Sequence, residues 1–285
     1  PVPTEDGDLR AFYTDVANAE SVTVMVYMIG SDLESEDGSA TDDLLEMADA
    51  ALSENIHLVL QTGGTETWWN DVCTDDESER FVIENGDMTL LQSLGSMNMT
   101  DADTLSDFIR FSAESYPADR YELILWDHGG GTMTGFGYDE LYEDTSLTLS
   151  SLSTALYNGG VQFDFIGFDA CLMATAEVAY ALDPYADYLI ASEESEPGEG
   201  WAYKNWLTML AEDPAVPTAE LGKKLADDFL EAYIFADMPT LSVLDLRYVP
   251  ELYAALESYW GSAYTALQNG SYGAFSQIRN NLSLI

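Results

Sequence analysis

The strongest constraint on the fold is a regular alternation between short apolar runs and longer segments with helical periodicity. Six apolar runs predict buried strands, at residues 22–29, 56–61, 121–127, 163–168, 185–191 and 241–246. Helical spacing of apolar residues predicts helices at residues 41–53, 101–115, 149–157, 172–182, 218–235 and 249–267. This alternation is typical of an α/β sandwich, in which a mostly parallel sheet lies between layers of helices.

Three further segments complete the prediction. Residues 80–84 and 88–94 are separated by Asn85-Gly86-Asp87 and predict a β-hairpin, because Asn-Gly suits a primed turn. Residues 132–147 are expected to form a loop. Residues 1–20 are polar, with a short helix predicted from Leu9, and are expected to form an N-terminal arm.

Two of the predicted strands end in residues that can carry chemistry. The strand at 163–168 breaks at Asp169-Ala170-Cys171, and a helix is expected from Leu172, which would place the thiol at a helix N-terminus and lower its pKa. The strand at 121–127 is followed by His128 and three glycines. Ligands of parallel sheets bind at the carboxyl ends of strands, and neighbouring strands lie about 5 Å apart. If these two strands are neighbours, Cys171 and His128 can reach one small substrate.

The charge of the chain excludes some classes of partner. Nine Lys and Arg stand against 52 Asp and Glu, for a formal net charge of −43. Such a surface repels nucleic-acid phosphates and anionic lipids, and it attracts basic peptides and Ca²⁺. No apolar run approaches the roughly 20 residues of a membrane span.

Composition also bears on the compartment. An acidic, lysine-poor and cysteine-poor chain fits an extracellular or cell-surface bacterial protein, although a cytosolic protein of a halophile has a similar composition. The chain starts at Pro1 without a signal segment, so we expect a trimmed or mature start. Two cysteines do not make a disulfide framework, and a Cys73–Cys171 bridge stays open at this point.

Several motifs in order resemble the clostripain-like cysteine peptidases, family C11, which are relatives of caspases and gingipains. The matching stretches are VYMIGSDLE, DHGG, DACLM, SEESEPGEGW and LSVLDL. The resemblance implies a caspase-like three-layer sandwich whose six-stranded core sheet has the order 2-1-3-4-5-6 and carries an inserted hairpin. It implies a peptidase domain at residues 1–247 and a helical C-terminal segment at 248–285, shorter than in longer relatives.

The same resemblance implies an activity and the residues that carry it. It implies a cysteine endopeptidase in which His128 is the general base and Cys171 the nucleophile, with the amides of Gly129 and Cys171 as the oxyanion hole. Asp169 would lie in the S1 pocket, which receives the P1 side chain, and would pair with a P1 Arg or Lys. Glu194 and Trp201 are expected to line the same pocket.

A third member of the catalytic set is not assigned at this stage. Asp127 is adjacent to His128, and adjacent strand residues point to opposite faces, so Asp127 is a poor orienter of the ring. Relatives are often cut after a basic residue between His and Cys, but no Lys or Arg lies between Arg120 and Lys204. Some relatives need calcium. The chemistry itself needs no cofactor, and no EF-hand-like loop is present, so no metal ligands are named. We expect a monomer.

Structural interpretations of the same residues stay open. His128 could cap a strand, Cys171 could be buried packing, and Asp169 could cap the following helix. The loop with Glu194 and Trp201 could be an ordinary turn. Two other functions are therefore retained: a cysteine hydrolase of this fold with another P1 preference, and a non-catalytic extracellular binding module.

Overall fold

The computed structural model describes residues 16–142, 145–233 and 239–282. The chain divides into two compact units, residues 1–246 and residues 247–285. The short helix predicted from Leu9 falls outside the described residues, and Val16–Asn18 forms a single 3₁₀ turn. The assignment of residues 1–247 as a peptidase domain, and of 248–285 as its C-terminal segment, stays a prediction.

The described part of the chain contains ten strands. They are β1 (Val22–Ile29), β2 (Ile56–Gly63), β3 (Ser78–Glu84), β4 (Asp87–Gly95), β5 (Arg120–Trp126), β6 (Phe136–Asp139), β7 (Thr145–Leu147), β8 (Phe163–Asp169), β9 (Ala186–Ala191) and β10 (Ser242–Asp245).

Eight of these strands form one sheet, in the order β10-β9-β8-β5-β1-β2-β3-β4. The four central pairs, β2–β1, β1–β5, β5–β8 and β8–β9, are parallel. At the edges, β10 is antiparallel to β9, β3 is antiparallel to β2, and β3 and β4 form an antiparallel hairpin. The six predicted core strands correspond to β1, β2, β5, β8, β9 and β10. Their predicted order 2-1-3-4-5-6 is confirmed, and so is the hairpin, which extends the β2 edge.

Ten α-helices are described. They are α1 (Ser31–Ser35), α2 (Ser39–Ala48), α3 (Ala102–Ser115), α4 (Gly131–Thr134), α5 (Leu149–Gly159), α6 (Ala176–Leu182), α7 (Tyr203–Glu212), α8 (Thr218–Ala232), α9 (Val249–Gln268) and α10 (Tyr272–Leu282). The last two belong to the second unit, and α9 agrees with the helix predicted at 249–267.

Helices cover both faces of the sheet. Val24 and Val26 of β1 belong to the buried cluster that includes side chains of α2, α7 and α8. The alternate residue Tyr27 packs its ring against Phe108 of α3, with centroids 5.7 Å apart. Burial of β1 on both faces is what an uninterrupted apolar run predicts for the centre of a parallel sheet.

Three local predictions are wrong. The helix expected from Leu172 begins only at Ala176, because Thr175 is its N-cap and accepts a hydrogen bond from the Val178 N–H. The loop expected at 132–147 contains the end of α4 and the two-stranded β6–β7 sheet. The third error is an omission: helices α1 and α7 were not predicted, since short helices show too little periodicity to be detected.

Candidate active site

The site lies where two neighbouring parallel strands end. In the β5–β8 pair, Trp126 is opposite Asp169. His128 follows Trp126 by two residues and Cys171 follows Asp169 by two, so both stand at the same edge of the sheet. A cavity of about 250 Å³ is lined by both His128 and Cys171. The tertiary structure therefore brings the two candidate catalytic side chains to one cavity.

The glycines after His128 allow the two strand ends to pack together. A Cβ at Gly129 would clash with the carbonyl oxygen of Cys171, and a Cβ at Gly131 would lie 2.8 Å from the carbonyl oxygen of Leu172. Gly131 also has φ +55, in the left-handed region. The need for glycine at positions 129 and 131 therefore arises from contact between the two loops.

Cys171 is held by the loop that follows β9. Its Sγ accepts a hydrogen bond from the backbone N–H of Glu196 at 3.2 Å and lies 3.8 Å from the Glu196 carbonyl oxygen. The described hydrogen bonds of Sγ do not include the imidazole of His128. Because α6 begins only at Ala176, the prediction that Cys171 stands at a helix N-terminus is wrong. Both cysteines are free, so no Cys73–Cys171 bridge forms.

Asp169 is buried beside the thiol and is 5% exposed. Its Oδ2 accepts hydrogen bonds from the Trp201 N–H at 2.9 Å and from the Tyr203 hydroxyl at 2.8 Å. Burial raises the pKa of Asp169 to about 6, against the lowering effect of these donors. Thr175, and not Asp169, caps the following helix, so the capping interpretation is wrong.

A second acidic residue, Glu196, shares the cavity wall with Asp169. Its Oε2 accepts a hydrogen bond from the Trp201 indole N–H at 3.2 Å. Burial, and next the negative charge of Asp169, raise the pKa of Glu196 well above its usual value. Sequence reasoning missed Glu196, since it is one of four glutamates within SEESEPGEGW and only the fold shows which one turns inward.

The two other predicted pocket residues occupy different positions. Glu194 is exposed, and it contributes its carbonyl oxygen, which accepts the Leu172 N–H at 3.0 Å. Trp201 is 1% exposed and packs on Gly167, where a Cβ would lie 2.7 Å from its ring. Neither side chain is among the described residues that line the cavity. The prediction that both line the pocket is therefore wrong for the cavity as described. Trp201 instead donates hydrogen bonds to the carboxyl groups of Asp169 and Glu196, which do line it.

A carboxylate that the sequence analysis did not assign contacts His128. Oδ1 of Asp32 lies 2.7 Å from the ring Nε2, and both side chains are about half-exposed. Asp32 follows the end of β1, which is the other neighbour of β5. A carboxylate just past the strand beside β5 was the signal that could have identified it, because it stands at the same sheet edge as His128.

Asp127 does not contact the imidazole through its carboxylate. Its Oδ1 accepts a hydrogen bond from the Ser31 hydroxyl at 2.7 Å, and its Oδ2 accepts one from the Tyr138 N–H. Burial raises the pKa of Asp127 to about 7. These contacts agree with the expectation that Asp127 is a poor orienter of His128, and they show that it ties the ends of β1 and β5 together.

The described residues contain neither a cluster of metal-binding side chains nor a membrane-spanning helix. Within residues 16–142, 145–233 and 239–282, no group of three or more His, Cys, Asp or Glu side chains could hold a metal ion. In that same part of the chain, no helix combines the length and the apolar character that crossing a bilayer requires. Calcium binding by this chain stays a prediction.

The chain is similar to several known proteins. Clostripain from Hathewaya histolytica is 29% identical over 217 residues, which are 65% of this chain and 41% of that protein. The inactive zymogen of a C11 protease from Parabacteroides distasonis is 27% identical, with a TM-score of 0.64 over 82% of this chain and 64% of that one. A secreted C11 cysteine protease from Bacteroides thetaiotaomicron, solved with an irreversible peptide inhibitor, has a TM-score of 0.68 at 23% identity, over 82% and 68% of the two chains.

The chain thus spans less than half the length of the clostripain that it matches. The model of the Clostripain family matches residues 26–281, which include both strand ends of the site and nearly all of the sheet. This chain belongs to the clostripain family.

Proposed function

We propose that this chain is a cysteine endopeptidase that cleaves peptide bonds after Arg or Lys. Membership of the clostripain family supports the reaction class. The observation that carries the P1 preference is the pair of buried carboxyl groups, Asp169 and Glu196, in the cavity that also contains Cys171 and His128. A guanidinium or ammonium group is the ligand that two such groups favour, because its positive charge compensates their burial.

The first half of the reaction forms a thioester. His128 takes the thiol proton, and Sγ of Cys171 attacks the scissile carbonyl carbon, so that a C–S bond forms and the carbonyl electron pair moves to oxygen. When this intermediate collapses, the C–N bond breaks and His128 gives its proton to the leaving amine. In the second half, His128 deprotonates a water that attacks the thioester. The C–S bond then breaks, the thiol regains its proton and the peptide acid leaves.

Two amides are assigned to the oxyanion. The N–H groups of Gly129 and Cys171 have no described hydrogen-bond partner, as donors that await a substrate oxygen should. The close packing of Gly129 on the Cys171 carbonyl brings the two loops together at this point. Fixed donors of this kind stabilise the negative oxygen without reorganisation at the moment of reaction.

We also propose a setting for the reaction. A relative of the same fold is described as secreted, and the acidic composition suits an extracellular or cell-surface protein whose substrates are basic peptides or proteins. The chemistry uses only side chains and backbone, so we expect activity without added metal, and we expect a monomer.

One set of assays tests the proposal. Fluorogenic peptides that differ only at P1 (Arg, Lys, Asn, Asp and Ala) are incubated with the native chain, with Cys171→Ala and with His128→Ala, with and without EDTA. We expect cleavage of the Arg and Lys peptides by the native chain, and loss in both variants. Cys73→Ala is the matched control and should retain activity.

Cleavage by Cys171→Ala would refute the assignment of Cys171 as the nucleophile. A preference for Asn, Asp or Ala would leave a cysteine hydrolase of another specificity, and no cleavage at all would favour the binding module.

A further inference from the structure

The contact between Asp32 and His128 gives the two ring nitrogens different environments. The Asp32 carboxylate lies 2.7 Å from Nε2. An ionised carboxylate can only accept a hydrogen bond, so a neutral ring in this contact carries its proton on Nε2. Nδ1 is then the unprotonated nitrogen, which is the form that a general base requires.

The backbone holds Asp32 in place through the residue before it. Ser31 is buried and has φ +49, in the left-handed region that a non-glycine residue rarely adopts. Its N–H donates to the Gly64 carbonyl at 3.1 Å, its carbonyl accepts the Thr65 hydroxyl at 2.9 Å, and its own hydroxyl donates to Asp127. A strained conformation of this kind persists only where the surroundings determine it, and such positions concentrate at functional sites.

The ends of β1 and β5 are therefore joined by two successive links. Ser31 binds Asp127 in the buried layer, and the residues that follow them, Asp32 after Ser31 and His128 after Asp127, meet in the half-exposed layer. The buried link holds the two chain segments together, and the half-exposed link holds the imidazole. Tyr138, whose N–H also binds Asp127, packs its ring edge-on at 6.1 Å from the imidazole.

We propose that Asp32 is a positioning residue for His128. It keeps the proton on Nε2 and fixes the ring, so that Nδ1 faces the thiol of Cys171 and the leaving amine. This role rests on the proposed peptidase function, since it has no catalytic meaning unless His128 moves a proton. A carboxylate that stabilises the correct tautomer, and the imidazolium formed during the reaction, is a recognised element of nucleophile–histidine systems.

The first experiment compares three variants by steady-state kinetics on the P1 Arg peptide. Asp32→Ala removes the contact, Asp32→Asn keeps the shape but removes the charge, and Asp37→Asn removes an exposed charge of the same turn without touching His128. We expect kcat to fall roughly 10²-fold or more in both Asp32 variants, with KM within about threefold, as for other residues that orient a catalytic histidine. Asp37→Asn should match the native chain.

The second experiment does not depend on activity. The chain has only His57 and His128, so ¹⁵N-histidine labelling in a His57→Gln background yields the spectrum of a single ring. Above the pH at which the ring loses its charge, we expect a protonated Nε2 and an unprotonated Nδ1 in the presence of Asp32. In Asp32→Ala and Asp32→Asn, the signals should shift toward a mixture of the two tautomers.

The outcomes separate the two proposals. An unchanged tautomer in Asp32→Ala, or a kcat within twofold of native in that variant, would overturn the role of Asp32. If the native chain cleaves no peptide but the tautomer still changes, the proposed function fails while the contact is retained. If Asp32→Ala does not fold, Asp32→Asn, which has nearly the same volume, supplies both readouts.

Discussion

The backbone N–H of Glu196 donates a hydrogen bond to Sγ of Cys171 across 3.2 Å. The carboxyl group of the same Glu196 lies in the wall of the proposed S1 cavity. One residue therefore contacts both the proposed nucleophile and the space for the P1 side chain. This link makes the loop after β9 part of the catalytic arrangement.

We predict that Cys171 is the reactive thiol. Iodoacetamide should modify Cys171 at least about tenfold faster than Cys73, since only an accessible thiolate reacts. Cys73 is 8% exposed, and burial raises its pKa to about 12. Peptide mass spectrometry over a time course at pH 7 measures both rates in one sample. In Cys171→Ala, Cys73 should react as slowly as before, and equal rates in the native chain would contradict the prediction.

We predict that Gly129→Ala abolishes most activity. The added methyl would overlap the Cys171 carbonyl oxygen, which forces the two loops apart and moves an oxyanion donor. Loss of one such donor lowers kcat by about 10²–10³-fold. Gly198→Ala is the matched control, because Gly198 lines the same cavity and its added Cβ would meet no atom within 4 Å. Thermal unfolding distinguishes this effect from misfolding. Equal kcat in both variants would refute the assigned role of the Gly129 amide.

We predict that Glu196→Gln weakens the binding of substrates with a basic P1 residue. Gln can still accept the Trp201 indole N–H, but it cannot ionise, whereas the Glu196 carboxyl can lose its proton when a P1 Arg or Lys places a positive charge beside it. A charge-assisted hydrogen bond contributes about 1.5 kcal/mol, so KM for the P1 Arg peptide should rise about tenfold with kcat little changed. Glu199→Gln alters an exposed glutamate of the same loop and should leave KM unchanged. A similar rise in both variants would indicate a general effect of surface charge.

We predict that the selectivity for basic P1 residues decreases at acid pH. Burial raises the pKa of Asp169 to about 6, so this carboxyl loses the charge that pairs with Arg as the pH falls through that value. The ratio of kcat/KM for P1 Arg to that for P1 norleucine should fall below pH 6, since effects on Cys171 and His128 cancel in the ratio. In Asp169→Asn the ratio should be low at every pH, and a persistent transition near pH 6 would contradict the assignment.

We predict that the contribution of Asp169 to stability decreases as pH rises, whereas its contribution to P1 selectivity increases. Between the ordinary carboxyl pKa of 3.8 and about 6, folded Asp169 retains a proton that the unfolded chain has lost. The native state therefore binds more protons in this window, and the contribution of Asp169 to the free energy of unfolding decreases as pH rises through it. Urea unfolding of the native chain and of Asp169→Asn, at pH 4 and pH 7, measures the difference. If the native chain gains stability relative to the variant as the pH rises, the raised pKa of Asp169 is refuted.

The core strands and the α/β fold class could be predicted from the sequence because burial requires a local pattern of apolar residues. β1 and β8 are buried at every position and mostly apolar, as expected of strands covered on both faces, and the intervening helices show the 3.6-residue period. The strand order came from the resemblance carried by the motifs at Cys171 and His128. Short elements escaped detection, and α4, β6 and β7 were expected to be a loop.

The sequence by itself determined which residues stand at the carboxyl ends of the strands, and therefore that Cys171, His128 and Asp169 belong to one edge of the sheet. Only the tertiary structure decided what each of them contacts. The Asp32–His128 contact joins residues 96 positions apart, and the one from Glu196 to Cys171 joins residues 25 apart. Such contacts depend on strand register and loop direction, which residue spacing does not encode. For the same reason, the sequence did not predict that Sγ of Cys171 would accept a hydrogen bond from the Glu196 N–H of another loop, where a helix N-terminus had been expected.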